Sequence, residues 1–357
     1  MDGANPPGTA ASEYGAGEAV AWFSLGVAQA QSSQQRQIVQ RLWGFGHPDS
    51  LQRRWQRLLA NDRVKLAQVF SQWTRWVVRQ YEPAAYRLLV EETRLGERLG
   101  VMMLARAYPG RSIPLAWWCY EANPAAADPE VGPVGMIQQL LLWVGAGLPE
   151  AAQVTVQADR GVGCSPTLAQ FVAQPGWYFR VRVTGQTKLV TESGDDTIDA
   201  MVQPGEHGHS SGKVFKRRRR IRARAYALGE GEATEPWALV TNHPNYNRRE
   251  DAQRTWQEPS FRELKSQGWQ WSKSQVWRPA DAQRRLLVLV LAYAWTLSMG
   301  VRVALRGQAV RPKRLSDGSL RRRLRLFQEG LRGFLRLLTD PFPLCPGLWF
   351  PANLCIP

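Results

Sequence analysis

The spacing of apolar residues divides the chain into a helical beginning, an alternating middle and a helical end. From Ala19 to about Tyr81 the pattern is helical, and Ile38, Val39, Leu42 and Trp43 make one apolar stripe. Gly44-Phe-Gly-His-Pro48 interrupts it, and Asp49 or Ser50 is suited to cap the next helix. There Leu51, Trp55, Leu58 and Leu59 cover one face while Arg53, Arg54 and Arg57 share another. From Tyr86 the period shortens. Arg87–Val90 is a short apolar run ending at Glu91-Glu92-Thr93, Gly100–Tyr108 is a second strand, Pro109-Gly110 a turn and Ile113–Tyr120 a third strand. Met136–Val144 has helical spacing, and Val154–Ala158 is a strand that ends at Asp159-Arg160-Gly161. Ser165–Ala173 reads as a helix and Trp177–Val183 as a strand again. The order predicts an α/β fold with a mixed sheet, and carboxylates at the ends of its first and fourth strands.

Between Val183 and Pro236 the periodicity is that of short β segments and turns, centred on Lys213–Tyr226. As a strand, that run puts Arg218, Arg220, Arg222 and Arg224 on one face. Four guanidiniums in a row repel one another unless an anion lies along them. Trp237–Thr241 returns to the core as a strand. It leads to Arg254–Trp269, where helical spacing brings Arg254, Glu258 and Lys265 within roughly 40° of one another. Phe261 and Leu264 anchor that helix elsewhere. Leu286–Gly300 is apolar and uncharged, but shorter than the about 20 residues a membrane span needs, and basic residues flank it. It reads as a buried core helix, followed by a basic tail (Arg311–Arg325), a helix and a Pro-rich end. Met1–Gly17, rich in Gly, Ala and Pro, predicts a flexible start without a signal peptide.

Charge changes this picture from a generic α/β protein to one with a polyanionic partner. The 357 residues carry a net charge of +16 with a pI near 10.3. The 16 tryptophans suit contact with bases as well as a large core. Anionic membranes attract the same charge, so the basic balance alone leaves both partners open. Cys119, Cys164, Cys345 and Cys355 show no close pairing and read as reduced, buried thiols of a cytosolic protein. His207 and His209 fall in a polar stretch that reads as a hairpin tip, a poor place for zinc.

Glu91, Asp159 and Glu258, from two strands and a later helix, can converge. Three such carboxylates suit two Mg²⁺ ions about 3.5–4 Å apart, an in-line clamp for phosphodiester cleavage. The wording around them is more specific. Asp159-Arg160-Gly161 after Val-Thr-Val-Gln-Ala resembles the second-aspartate motif of bacterial insertion-sequence transposases of the DDE type. Tyr108-Pro-Gly-Arg-Ser-Ile-Pro-Leu-Ala-Trp117 looks like the strand pair that precedes it in that family. Glu258-x6-Lys265 with the earlier Arg254 is similar to the Tyr-x2-Arg-x3-Glu-x6-Lys signature of one large branch, and Phe261-Arg262-Glu-Leu-Lys265-Ser to its continuation. Arg53-Arg54-Trp-Gln-Arg57 looks like the family's N-terminal helical region.

The resemblance spans about Leu51 to Leu297. It implies a ribonuclease-H-like core (residues 84–183 and 237–300) interrupted by a β-rich insertion at 184–236. Residues 18–83 would form a helical DNA-binding region, and 301–357 a basic C-terminal region. It further implies a DNA transposase that binds the ends of its element, nicks there and joins the freed 3′-hydroxyl to target DNA, using Mg²⁺ or Mn²⁺. Glu91, Asp159 and Glu258 would be the catalytic metal ligands. Arg254, Lys265 and Arg262 would hold DNA, with the arginines of the insertion and of the N-terminal helix as further contacts. Trp237 would be the candidate for stacking on a flipped base, against a role in core packing. Two subunits bridging two DNA ends, in the cytoplasm on the nucleoid, complete the expectation, with no membrane role.

Three positions depart from the family's pattern. Glu91 stands where the first aspartate is expected, which moves the carboxylate by about 1 Å. Asp251 replaces the signature tyrosine, exchanging a hydroxyl for a repelling charge. Pro259 follows Glu258 and costs about 3 kcal/mol if it lies inside a helix. If the helix instead begins at Pro259, Arg254 leaves the shared face. The alternative function is therefore a catalytically impaired DNA-binding derivative, a relic or an inhibitor of transposition. A basic peripheral membrane protein is the third reading.

Overall fold

The computed structural model describes residues 8–80, 85–122, 132–163, 176–203, 205–215, 220–229, 236–245, 252–310, 313–314, 320–321 and 325–339. At residues 8–14, 162–163, 252, 313–314, 320–321 and 337–339 it describes the backbone alone. The chain opens with helices α1 (Gly8–Ala30), α2 (Gln35–Arg41), α3 (Pro48–Ala60) and α4 (Leu66–Arg79). Strands β1 (Tyr86–Leu95), β2 (Leu99–Tyr108) and β3 (Arg111–Glu121) follow, then α5 (Pro133–Gly145), β4 (Val154–Ala158), the single turn α6 (Arg160–Gly163) and β5 (Trp177–Val183). Next come β6 (Lys188–Thr191), β7 (Gly194–Thr197), β8 (His207–Val214), β9 (Ile221–Leu228) and β10 (Trp237–Thr241). The last helices are α7 (Gln257–Arg262), α8 (Pro279–Leu305) and α9 (Leu326–Thr339).

Ten strands form one mixed sheet in the order β3-β2-β1-β4-β5-β10-β9-β8-β6-β7. β1, β2 and β3 are an antiparallel meander, while β4 and β5 run parallel to β1. The strands of residues 184–236 thus continue the same sheet through β10, rather than building one of their own.

The two faces of the sheet differ in kind. Val90, Ala158, Val181, Val240 and Ala225 lie on one face and are all buried. Their chain neighbours Glu91, Asp159, Arg182, Leu239 and Tyr226 lie on the other, because successive side chains of a strand point to opposite sides. The same alternation puts Trp117 and Trp118 on opposite faces. Trp118 stacks on Trp143 of α5 at 5.6 Å, whereas Trp117 donates from Nε1 to the Gln283 carbonyl of α8 at 3.0 Å. α5 therefore covers the face opposite Glu91, and α8 the face that carries it.

Several expectations need correction. β1 runs on to Leu95, so Glu91 sits inside a strand and not at its end: β1 keeps pairing with β2 as far as Leu95↔Leu99 after its pairing with β4 stops at Val90↔Ala158. α3 starts at Pro48 with His47 as an N-cap that makes no side-chain bond, so neither Asp49 nor Ser50 caps it; proline is favoured at a first helical position. α1 starts at Gly8, so helix reaches back through most of the stretch expected to be flexible, where Ala10, Ala11 and Ala16 favour it. His207 and His209 lie on β8, paired with Leu228 and Tyr226, and not at a hairpin tip. That polar strand leaves both histidines exposed. Trp43 leaves the stripe of Ile38, Val39 and Leu42: α2 ends at Arg41, and Trp43 enters a 3₁₀ turn, 78% exposed.

The apolar stretch within α8 is a core element. The helix is long and apolar enough to cross a membrane, yet 78% of its apolar window is buried inside the fold. Gly300 and Gly330 let α8 and α9 meet backbone to backbone, since a Cβ at either would strike the Leu326 or Thr296 carbonyl. Cys119 is a free, buried thiol whose pKa burial pushes up. Ser165–Ala173, Asp251, the other three cysteines, most of the basic tail and the Pro-rich end lie outside the described residues.

Candidate catalytic site

The parallel pairing of β1 with β4 sets two carboxylates side by side. Val90 is opposite Ala158, and the next residue along the chain is Glu91, still on β1, or Asp159, just past the end of β4. Side chains at matching positions of adjacent parallel strands point the same way, here toward α7. The third carboxylate arrives on a segment that is not one helix. It passes from a 3₁₀ turn (Ala252–Trp256) to α7 and then to a π-helical turn (Glu263–Gln267). Pro259 is the third residue of α7, in the first turn, where a backbone N–H has no intrahelical acceptor to lose. The interior-helix cost therefore does not arise. Nor does Arg254 leave the site: it sits on the 3₁₀ turn with its Nη1 3.2 Å from Oδ2 of Asp159.

Buried polar contacts fix this segment to β3. Arg111 donates Nε to both carboxylate oxygens of Glu263, at 3.0 and 2.9 Å, and Nη2 to Oε1 at 2.7 Å. Ser260 Oγ accepts from the Ser112 amide at 2.9 Å, and Tyr293 Oη of α8 donates to the same hydroxyl at 2.9 Å. Phe261 and Leu264 are buried, as their spacing predicts. Burial still raises the Glu263 pKa, against the pull of Arg111.

Glu91 records what this assembly does electrostatically. Its pKa is raised to about 7, first by burial and then by the like charges of Asp159 and Glu258, against the opposing pull of Arg254 and Lys265. The other four side chains singled out in the sequence thus all act on Glu91. Burial lowers the Lys265 pKa, and Glu91 counteracts it. Asp159 is held by Arg254 and, at 3.9 Å, by Arg182; Glu258 is ion-paired with Arg262 one turn along. Among the described residues no three metal-capable side chains are grouped to hold an ion as they stand. Two of the three carboxylates are turned to guanidiniums.

Trp237 belongs to the same cluster. The Arg182 guanidinium lies 3.8 Å from its ring centre and that of Arg254 5.7 Å away, so the half-buried ring is neither plain core nor an open stacking surface.

The remaining expected residues are elsewhere. Arg53, Arg54 and Arg57 form a separate basic face on α3, where Arg54 pairs with Glu18 at 2.8 Å. Arg220 precedes β9 and pairs with Asp195 at 3.2 Å, while Arg222 and Arg224 stand exposed on β9. Arg218 lies outside the described residues. Arg224 lies on the carboxylate-bearing face of the sheet, opposite Thr241, which in turn faces Arg180. With Arg222 and Lys213 it lines a groove of about 680 Å³ that also takes in Ser211 and His243.

Arg182 and Tyr293 stand outside the quoted motifs, while Arg111 and Glu263 fall inside two of them without being singled out there. The signal available for the first was the alternation of Arg180 and Arg182 in a strand whose other residues are apolar. Comparison with models of known protein families and with curated proteins finds no match for this chain.

Proposed function

We propose that the protein is a DNA transposase of the DDE type, with a ribonuclease-H-like core, acting on phosphodiester bonds at the ends of a mobile element. The observation that carries this reading is the meeting of Glu91, Asp159 and Glu258 with Arg254 and Lys265 beneath α7. A meander with two further parallel strands, one carboxylate on the first strand, one just past the fourth and a third on a later helix, supports the fold assignment.

Once Asp159 and Glu258 leave their arginines, the donor set would suit a hard divalent cation such as Mg²⁺ or Mn²⁺, because it offers three carboxylates, one of which burial, and then the like charge of the other two, keeps from ionising. Glu91, Asp159 and Glu258 would hold the metal, like-charge repulsion being relieved in the process. Bound ions would stabilise charge on the attacking and departing oxygens. The chain's own residues do the rest. Arg254 and Lys265 bind the phosphate next to the scissile bond, a guanidinium through paired N–H donors and an ammonium as a point charge. Arg182 and Arg254 exchange Asp159 for phosphate when a strand enters, which frees that carboxylate. Glu91 is the half-buried corner of the site, while Glu258 stands open to solvent. The groove lined by Lys213, Arg222 and Arg224 lies along the same face and suits the backbone of flanking duplex. Two subunits would then bridge two ends, on the bacterial nucleoid in the cytoplasm.

A second reading, a DNA-binding derivative without turnover, is favoured by the longer Glu91 and by the arginine pairs on both other carboxylates. Strand cleavage of duplex carrying the inverted repeats that flank the coding region, with Mg²⁺ and with Mn²⁺, decides between the two. Turnover that Asp159→Ala abolishes, with DNA binding retained, establishes the enzyme. Binding without turnover, restored by Glu91→Asp, establishes the derivative. Absence of any DNA binding removes both.

A further inference from the structure

Trp43 is 78% exposed, an unusual position for a tryptophan that sits one residue after the fully buried Leu42. Its turn is moored at the base and free at the tip. Phe45 lies 5.3 Å from the ring of Trp22 on α1, and Trp22 in turn carries the Arg54 guanidinium of α3 at 4.2 Å. Trp22 therefore ties the turn to the basic helix. Gly46 closes the turn at φ +151°, where a side chain is strained. Arg41 stands two residues before Trp43, and Arg53 and Arg57 lie on the same helix as Arg54; all three are exposed, with no acidic partner among the described residues.

Three occupants compete for such a surface. A second copy would bring its own arginines against these, which like charge opposes. A membrane surface would need an apolar helix face beside the tryptophan. The apolar residues of α3 (Leu51, Trp55, Leu58 and Leu59) are instead buried in the fold. Duplex DNA meets both features, since phosphates match the arginines and a flat ring can enter a base step. We propose that Trp43 is a wedge that inserts into one base step of double-stranded DNA, partly unstacking and kinking it. Arg41, Arg53 and Arg57 hold the phosphates on either side. This rests on the DNA-binding reading above and adds a second contact, remote from the carboxylates, that deforms the duplex.

The test is a set of anisotropy titrations of the full chain on labelled duplex, beside 2-aminopurine emission from probes scanned along it and end-to-end energy transfer as a measure of bending. Trp43→Ala is expected to weaken binding about 5- to 100-fold and to remove the rise in emission and the bend, with an unchanged salt dependence. Trp43→Phe should keep most of both. Arg53→Gln with Arg57→Gln should flatten the salt dependence. Melting of each variant checks the fold. Wild-type affinity, emission and bending in Trp43→Ala would overturn the wedge and leave DNA binding standing. So would a loss confined to vesicles of phosphatidylserine and phosphatidylcholine, or to self-association in sedimentation. A wild-type chain that binds no duplex overturns the functional reading, and the wedge with it.

Discussion

Glu91 lies under α7 with two other carboxylates and two cations around it, and its protonation is linked to folding. The folded protein holds a proton there up to about pH 7, whereas a free glutamate loses it near 4.5. With the folded pKa raised, this stability is fully present below about 4.5 and is lost as the pH rises through about 7. Glu91→Gln removes that loss. In metal-free buffer the variant should be more stable than wild type by about 1–3 kcal/mol at alkaline pH, and indistinguishable at acid pH. Thermal melts at the two extremes check this, and a constant difference at both would show that the carboxylate does not titrate as argued. The motif wording picked out Glu91 and its partners because charge at fixed spacing is visible in a chain. Arg182 was not visible. Its role depends on β5 lying next to β4, which no local pattern states.

Across the Ala252–Gln267 segment, helix type matters more than helix existence. Read as one regular helix, it aligns Arg254, Glu258 and Lys265. The chain instead tightens into a 3₁₀ turn before Gln257 and widens into a π turn after Arg262, and the three residues still reach the same place. The buried Arg111–Glu263 pair and the Ser260 hydroxyl hold that irregular path against β3. Arg111→Ala leaves Glu263 buried without its partner and should cost about 3–5 kcal/mol in urea unfolding. The pair of apolar replacements Arg111→Met and Glu263→Leu should cost much less. If both variants lose the same amount, packing and not charge fixes the segment. Pro259 is benign for the same reason that it looks harmful in sequence: its cost depends on which turn it occupies, and the tertiary contacts choose the turn.

At the scale of the molecule, one sheet is ten strands wide, and its central strands bury Val90, Ala158, Val181, Val240 and Ala225 on one face and carry charged side chains on the other. The carboxylates occupy one part of the charged face, with Arg182, Arg224 and Arg222 spread across the strands beside them. If a duplex lies along this face, log affinity should fall linearly with log salt, by about 0.9 per phosphate neutralised. Arg222→Gln and Arg224→Gln should each reduce that slope by about 1, measured by titration over a range of KCl. An unchanged slope would take the groove out of the interface. The sequence by itself determined the sizeable core, the α/β alternation, the basic excess and the three carboxylates with their two cations. Each is encoded by residue type and local spacing. Only the tertiary structure decided that the β segments of residues 184–236 extend the main sheet, that Arg182 and Arg254 clamp Asp159, and that Trp43 faces solvent. Those facts depend on which distant segments become neighbours, and that choice is made by the packing of the whole chain.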